Sequence, residues 1–169
     1  MSRTRAGQAL LLRTRAGQDA RSLKAGDMLP DLEVPDLAGL SIRLRPKLAG
    51  RPALINVWAS WCGPCIEEMP ALEAFSRQQG PNGVQVAGIA LDEPAAVRDF
   101  LRRIPVRYPL YVDTPGPADA GVRLGNPRGV LPYSVLVDAR GRVLRQWVGP
   151  LRSTDLDRWA AEARTQDGG

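Results

Sequence analysis

Two side chains in this chain can do covalent chemistry without a cofactor, Cys62 and Cys65. They are the only cysteines in 169 residues, and the chain has no histidine. The spacing Cys62-Gly63-Pro64-Cys65 is one helical turn, and proline is at home in the first turn of a helix. A cysteine at a helix N-terminus meets unpaired backbone N–H groups and the positive end of the helix dipole. Both favour thiolate and can bring a thiol pKa from about 8.5 into the range of roughly 3.5–7.5. On this reading Cys62 is the attacking thiol. Cys65, one turn on, is the resolving thiol that breaks a mixed disulfide. The competing readings are two inert core cysteines or half of a zinc site. Zinc needs three or four protein ligands, and the sequence offers neither a third cysteine nor a histidine. A disulfide between residues this close constrains the unfolded chain little, so the pair suggests chemistry rather than stapling.

The elements around the pair must place it. Pro52 to Trp58 is a nearly continuous apolar run, which suits a strand buried on both faces of a parallel sheet. Pro64 to Gln79 follows as a helix, with Ile66, Met69, Leu72 and Phe75 on one face. Glu67, Glu68 and Glu73 are expected early in it, where the dipole favours acids, and Pro70 is expected to kink it. Val84 to Leu91 reads as a second core strand, Glu93 to Ile104 as a helix and Leu110 to Val112 as a short strand. Thr114 to Gly129 reads as a loop with a helical turn around Ala118 to Leu124. Tyr133 to Val137 and Val143 to Val148 form an antiparallel hairpin turned by Asp138 to Gly141. Ser153-Thr154-Asp155 caps a last helix to about Ala163. Ahead of all this, Leu32 to Val34 and Leu40 to Leu44 read as a β-hairpin. The order implies an α/β domain with a mixed sheet and helices on both faces.

Composition excludes several classes. Hydrophobic content of 44% suits a soluble globular domain, and no uncharged run is apolar enough to span a membrane. The formal net charge is +5, but residues 1–25 carry all of it, and residues 26–169 hold 17 basic and 17 acidic side chains. A neutral body lacks the basic stripe that phosphate binding needs, so no nucleic-acid partner is expected. Residues 1–25 read as a disordered basic arm, 26–165 as the domain and 166–169 as a frayed tail. The arm's apolar cluster, Ala9 to Leu12, is shorter than the roughly 7–15 residues of a secretory signal.

The string Asn56-Val57-Trp58-Ala59-Ser60-Trp61-Cys62-Gly63-Pro64-Cys65, followed by Glu67-Glu68-Met69-Pro70, resembles the thioredoxin superfamily. Within it, the string is most similar to the TlpA/ResA/DsbE group of bacterial extracytoplasmic thiol–disulfide oxidoreductases. Leu131-Pro132-Tyr133-Ser134-Val135-Leu136-Val137-Asp138 with Gly141 resembles the group's proline-to-strand segment, and the likeness covers about residues 27–163. It implies a thioredoxin-like fold with an added N-terminal hairpin. It also implies a monomer without bound cofactor or metal, protein disulfide substrates, an upstream thiol electron donor and a periplasmic location. That location calls for an export signal or membrane anchor, which residues 1–25 do not supply, and a cytoplasmic location is the alternative. Pro132 matches the cis-proline that lies against the dithiol and receives an extended substrate. Trp61, Gly63, Pro64 and Leu131 fall in the same substrate-binding set. Glu68 matches a glutamate near the active site that handles protons, with a solvated first-turn glutamate as the plainer alternative. Trp58 is expected to pack in the core.

The sequence also departs from its relatives. Thioredoxin keeps a buried aspartate where this chain has Asn56, and an asparagine cannot act as a base. Any carboxylate that assists Cys65 is therefore expected to be Glu68. Gly129-Val130-Leu131-Pro132-Tyr133 lacks the glutamate of the DsbE pattern, so a cytochrome c maturation role is not implied. Gly63-Pro64 resembles the pair in reducing thioredoxins and suggests the reductase direction. Two alternatives stand beside this. A peroxiredoxin-like thiol peroxidase needs a Pro-x-x-x-Thr-x-x-Cys context that Cys62 lacks. A non-catalytic binding or chaperone module on the same fold would make the dithiol incidental.

Overall fold

The computed structural model describes residues 22–167. In chain order its elements are β1 (Glu33–Pro35), β2 (Ser41–Arg43), α1 (Leu44–Leu48), β3 (Ala53–Trp58), α2 (Gly63–Gln78) and β4 (Gln85–Leu91). There follow α3 (Pro94–Arg103), β5 (Leu110–Asp113), α4 (Ala120–Arg123), β6 (Tyr133–Val137), β7 (Val143–Val148) and α5 (Ser153–Asp167). Five strands form one sheet in the order β5-β4-β3-β6-β7, and β1 and β2 form a separate antiparallel pair. The strands β3, β4 and β5 run parallel, and β6 and β7 return antiparallel.

The central strand is apolar because both of its faces are covered. All six residues of β3 are buried. Leu54 and Trp58 face a core built with α2, α3 and α5, through Met69, Leu72, Phe100 and Trp159. Ile55 and Val57 face a second core closed by the β1–β2 hairpin, α1 and α4. Helices α2 and α3 share a face, since Met69, Leu72, Val97 and Phe100 lie in one cluster, as the rule of right-handed crossovers expects where β3, β4 and β5 step across the sheet in one direction. Trp58 is fully buried against Phe100, with ring centroids 5.2 Å apart. The sheet, its helices on both faces and the N-terminal hairpin agree with the fold the sequence implies.

Several local expectations fail for physical reasons. Helix α1 was not expected, because Pro46 reads as punctuation. Pro46 is the third helical residue, where the backbone N–H has no intrahelical partner to lose. Helix α2 continues past Pro70, which lies inside it as expected and does not end it. Pro70 is exposed, so solvent can serve the Ile66 carbonyl left without its N–H. Helix α5 continues to Asp167, past the end expected near Ala163 and through Gln166, read above as frayed. The carboxylate of Asp155 accepts from the Arg152 N–H at 2.9 Å and closes the first turn of α5.

The arm also needs correction at its C-terminal end, while residues 1–21 and 168–169 lie outside the described residues. Leu23 packs on the second core. Its carbonyl accepts from Gln146 Nε2 at 2.8 Å, across 123 positions of sequence. Residues 22–25 thus start the body rather than end an arm. Gly125 makes this approach possible. Its φ is +101°, and a Cβ there would lie 2.7 Å from the Leu23 carbonyl oxygen. The left-handed backbone and the collision act together in Gly125→Ala, which should destabilise the fold by about 2–4 kcal/mol. A urea midpoint shift with unchanged slope would establish this, and an unshifted midpoint would contradict it.

Candidate active site

The C-terminal end of β3 leads into a turn in which Cys62 N–H donates to the Ala59 carbonyl at 3.2 Å. Asp92, just beyond β4, fastens this turn. Its Oδ2 accepts from both the N–H and the hydroxyl of Ser60. Cys62 then serves as the N-cap of α2, and its sulfur accepts from the Cys65 N–H at 3.3 Å. Gly63 and Pro64 fill the first two helical positions. The cysteine at the cap thus receives a backbone donor and the positive end of a 16-residue helix.

Cys62 and Cys65 are joined as a disulfide with their Cα atoms 5.3 Å apart, so the structure is the oxidised state. Cys62 is 5% exposed and Cys65 1%. Trp61, at 71%, stands out into solvent beside them. Gly63 and Pro64 are also exposed. On the other side of β3, β6 pairs Tyr133 with Val57. That register, carried one step on, sets Pro132 opposite Trp58 at the same end of the sheet. The Leu131–Pro132 bond is cis, Pro132 is buried and Leu131 half-buried. Leu131 packs against the core cluster that includes both cysteines. The structure therefore places Trp61, Cys62, Gly63, Pro64, Cys65, Leu131 and Pro132 toward one end of the sheet.

Glu68 is where expectation and structure differ most. The first turn of α2 holds no acid, so Glu67, Glu68 and Glu73 do not sit at the positive end of the dipole. Glu67 is exposed, but Glu68, one turn beyond Cys65, is 3% exposed. The solvated alternative for Glu68 is therefore wrong. Its Oε1 accepts from Asn56 Nδ2 at 2.7 Å, and its Oε2 from the Leu151 N–H at 2.5 Å. The same Asn56 amide also donates to Ser134 Oγ at 3.1 Å. Burial outweighs these donors and raises the Glu68 pKa from 4.5 to about 7. Asn56 cannot act as a base, but it holds the carboxylate that can.

Ser134, Leu151 and Asp92 were not singled out in the sequence. Ser134 carries a faint signal, as the one small polar side chain in the otherwise apolar strand Tyr133–Val137. Leu151 contributes a backbone N–H, which no side-chain pattern reports. Among the described residues no group of three or more His, Cys, Asp or Glu side chains could hold a metal ion. No helix there is long and apolar enough to cross a membrane.

A dithiol capping the helix after a central strand, with a cis-proline at the same sheet end, defines a thioredoxin-fold thiol–disulfide oxidoreductase. The chain belongs to the AhpC/TSA family, whose model matches residues 25–146. It is 30% identical over 142 residues to the thiol–disulfide oxidoreductase ResA of Bacillus thuringiensis (strain Al Hakam), covering 82% of this chain and 78% of that protein. Among solved structures it is similar to a thioredoxin-related protein from Neisseria meningitidis serogroup B. There the identity is 30%, the TM-score 0.69, and the coverage 79% of this chain and 99% of that one. A secreted thiol-disulfide isomerase from Corynebacterium glutamicum is 25% identical with a TM-score of 0.71, covering 85% of this chain and 90% of that one. This chemistry implies protein substrates and thiol redox partners.

The Glu68 environment predicts how stability depends on pH. A carboxylate with a raised native pKa binds more protons folded than unfolded, so its contribution falls as pH rises. The window runs from the ordinary 4.5 to about 7, and the loss is complete above it. That shift corresponds to about 3 kcal/mol. Urea unfolding of the oxidised protein at pH 5 and pH 8 should show the decrease, and Glu68→Gln should remove it. A decrease that persists in the variant would place its source elsewhere.

Proposed function

We propose that the protein is a disulfide reductase in which Cys62 attacks, Cys65 resolves and Glu68 manages the proton of Cys65. The observation that carries this reading is the pairing of a capped Cys62 with a buried Cys65 one turn before a buried carboxylate. In the reduced protein, the Cys62 thiolate attacks one sulfur of a substrate disulfide. The other substrate sulfur leaves as a thiolate and takes a proton from solvent. Glu68 accepts the Cys65 proton, and the Cys65 thiolate attacks Cys62 Sγ. The Cys62–Cys65 disulfide forms, and the second substrate sulfur departs as a thiolate that takes a proton from Glu68 or solvent. Electrons balance, since the dithiol loses two and the substrate disulfide gains two. An upstream thiol donor then restores the dithiol.

Trp61, Gly63, Pro64, Leu131 and Pro132 form the surface that receives the substrate segment. Their common position at the dithiol end supports this role. Gly63-Pro64 between the cysteines supports the reducing direction. An extracytoplasmic location fits the secreted C. glutamicum neighbour.

Three variants test the mechanism. Cys62→Ser should abolish insulin reduction, and unchanged turnover would rule the mechanism out. Cys65→Ser should accumulate a mixed disulfide through Cys62, visible as a mass adduct that dithiothreitol releases. Glu68→Gln should slow resolution by about 10²-fold, the lower end of what a positioned proton acceptor contributes. Its first step, attack by Cys62, should stay within about twofold when followed by stopped-flow fluorescence. A slowed first step would assign Glu68 another role.

A further inference from the structure

Strand β7 ends the sheet. Leu23 meets the side chain of Gln146 rather than its backbone, and among the described residues main-chain bonds cover the outer edge of β7 at the end far from the dithiol. There the Gly26 N–H donates to the Val143 carbonyl and the Val143 N–H to the Asp27 carbonyl, both at 2.8 Å. Met28 bridges Arg142, and the Leu29 N–H reaches the Gly141 carbonyl at 2.7 Å. The chain then leaves the edge, and no described strand lies beyond residues 144–148.

The hydrogen-bond phase shows which groups that edge presents. Gly149 N–H donates to the Pro132 carbonyl at 2.8 Å, so residue 149 faces β6. Antiparallel pairs alternate, and Trp147 opposite Ser134 therefore faces β6 as well. Val148 and Gln146, between them, turn their N–H and C=O groups outward. This open edge also carries apolar side chains. Six large hydrophobic residues stand exposed among those described, and four of them (Trp61, Val130, Trp147 and Val148) lie at the dithiol end. Trp147, 52% exposed, borders a groove of about 640 Å³ between β7 and α5, floored by Leu151 and Trp159. The charges along it are matched, Arg145 with Glu162 and Arg158 with Asp155.

We propose that the edge of β7 at Gln146–Val148 receives an extended segment of the protein substrate as an added strand, while the groove beside Trp147 seats one of its apolar side chains. The proposal rests on the reductase reading above and names how that site recognises its substrate. The edge is continuous with the site. Residue 149 is bonded to Pro132, and residue 151 to Glu68. An added strand would lie three strand spacings from β3, about 14 Å. Four or five extended residues span that distance. Recognition through main-chain bonds and a groove whose charges are already paired suits extended, apolar-rich polypeptide and is tolerant of sequence. A small disulfide does not reach the edge.

Val148→Pro removes an outward donor without taking a bond from the β6–β7 ladder. Val148→Thr keeps the donor and serves as the control for the side chain. The measurement is kcat/KM for a scrambled protein disulfide (reduced, then reoxidised while unfolded) against that for glutathione disulfide. Val148→Pro and Trp147→Ala should each lower the protein value about three- to tenfold. The glutathione disulfide value should stay within about twofold, and Val148→Thr should match wild type. Equal loss on both substrates would place the effect in the dithiol and overturn the proposal, as would no loss on either. The reductase reading itself fails only if the wild-type protein reduces no protein disulfide. A second measurement does not depend on the proline variant folding. In a Cys65→Ser mixed disulfide with an unfolded cysteine-containing peptide, the Val148 and Gln146 amides should gain protection from hydrogen exchange. Unchanged exchange at both would overturn the added strand.

Discussion

A carboxylate buried to 3% exposure must find donors or stay protonated, and the folding of this chain around Glu68 follows from that requirement. One oxygen takes the Asn56 amide on β3, and the other takes the Leu151 N–H on the segment entering α5. The second amide proton of Asn56 goes to Ser134 on β6. A single side chain of α2 therefore fixes that helix against β3, β6 and the approach to α5. The dithiol lies at the N-terminus of the same helix, so its placement over the sheet depends on these bonds.

The sheet topology explains why the chemistry gathers at this end. From β3 the chain steps outward to β4 and β5, then returns to the other side of β3 to build β6 and β7. The strand order reverses at β3, and open α/β sheets leave a crevice at the carboxyl ends of strands beside such a reversal. The Ser60–Cys62 turn leaves the carboxyl end of β3. Asp92, which fastens it, leaves the neighbouring end of β4. The antiparallel return delivers Pro132 to the same end because β6 begins where β3 finishes. Site residues from positions 60 to 151 thus converge without any of them being close in sequence to all the others.

Much of this was legible in the chain because it is written in short periods. The run Pro52 to Trp58 has too few polar residues for anything but a strand covered on both faces, and Cys62-Gly63-Pro64-Cys65 states its own chemistry. Glu68 was half legible. It sits three residues after Cys65 and four before Leu72, on the buried stripe of α2, while Glu67 lies one step round the helix in solvent. That phase was available, yet adjacent glutamates near a helix start look alike. Its partners were not legible, since Ser134 and Leu151 meet Asn56 and Glu68 across 78 and 83 positions. The misreading of residues 22–25 has the same cause. What holds Leu23 is Gln146, far along the chain, and local composition carries no trace of it.

The exchange of roles between positions 56 and 68 has an energetic logic. A neutral amide at Asn56 donates to the Glu68 carboxylate and partly offsets its burial, whereas a second carboxylate there would repel it. In the reduced protein, Cys65 and Glu68 would lie one turn apart in a region that solvent scarcely reaches. Burial penalises charge on either group, and charge on both would be penalised further by repulsion. A Glu68 pKa near 7 leaves the carboxylate about half ionised at neutral pH, which is the state the proposed mechanism requires of a group that takes the Cys65 proton and later returns it. The stability lost by burying this group and the proton acceptor proposed for the resolving thiol therefore share one cause, the same desolvation. A better-solvated glutamate would relieve the first and, by lowering its affinity for the proton, weaken the second.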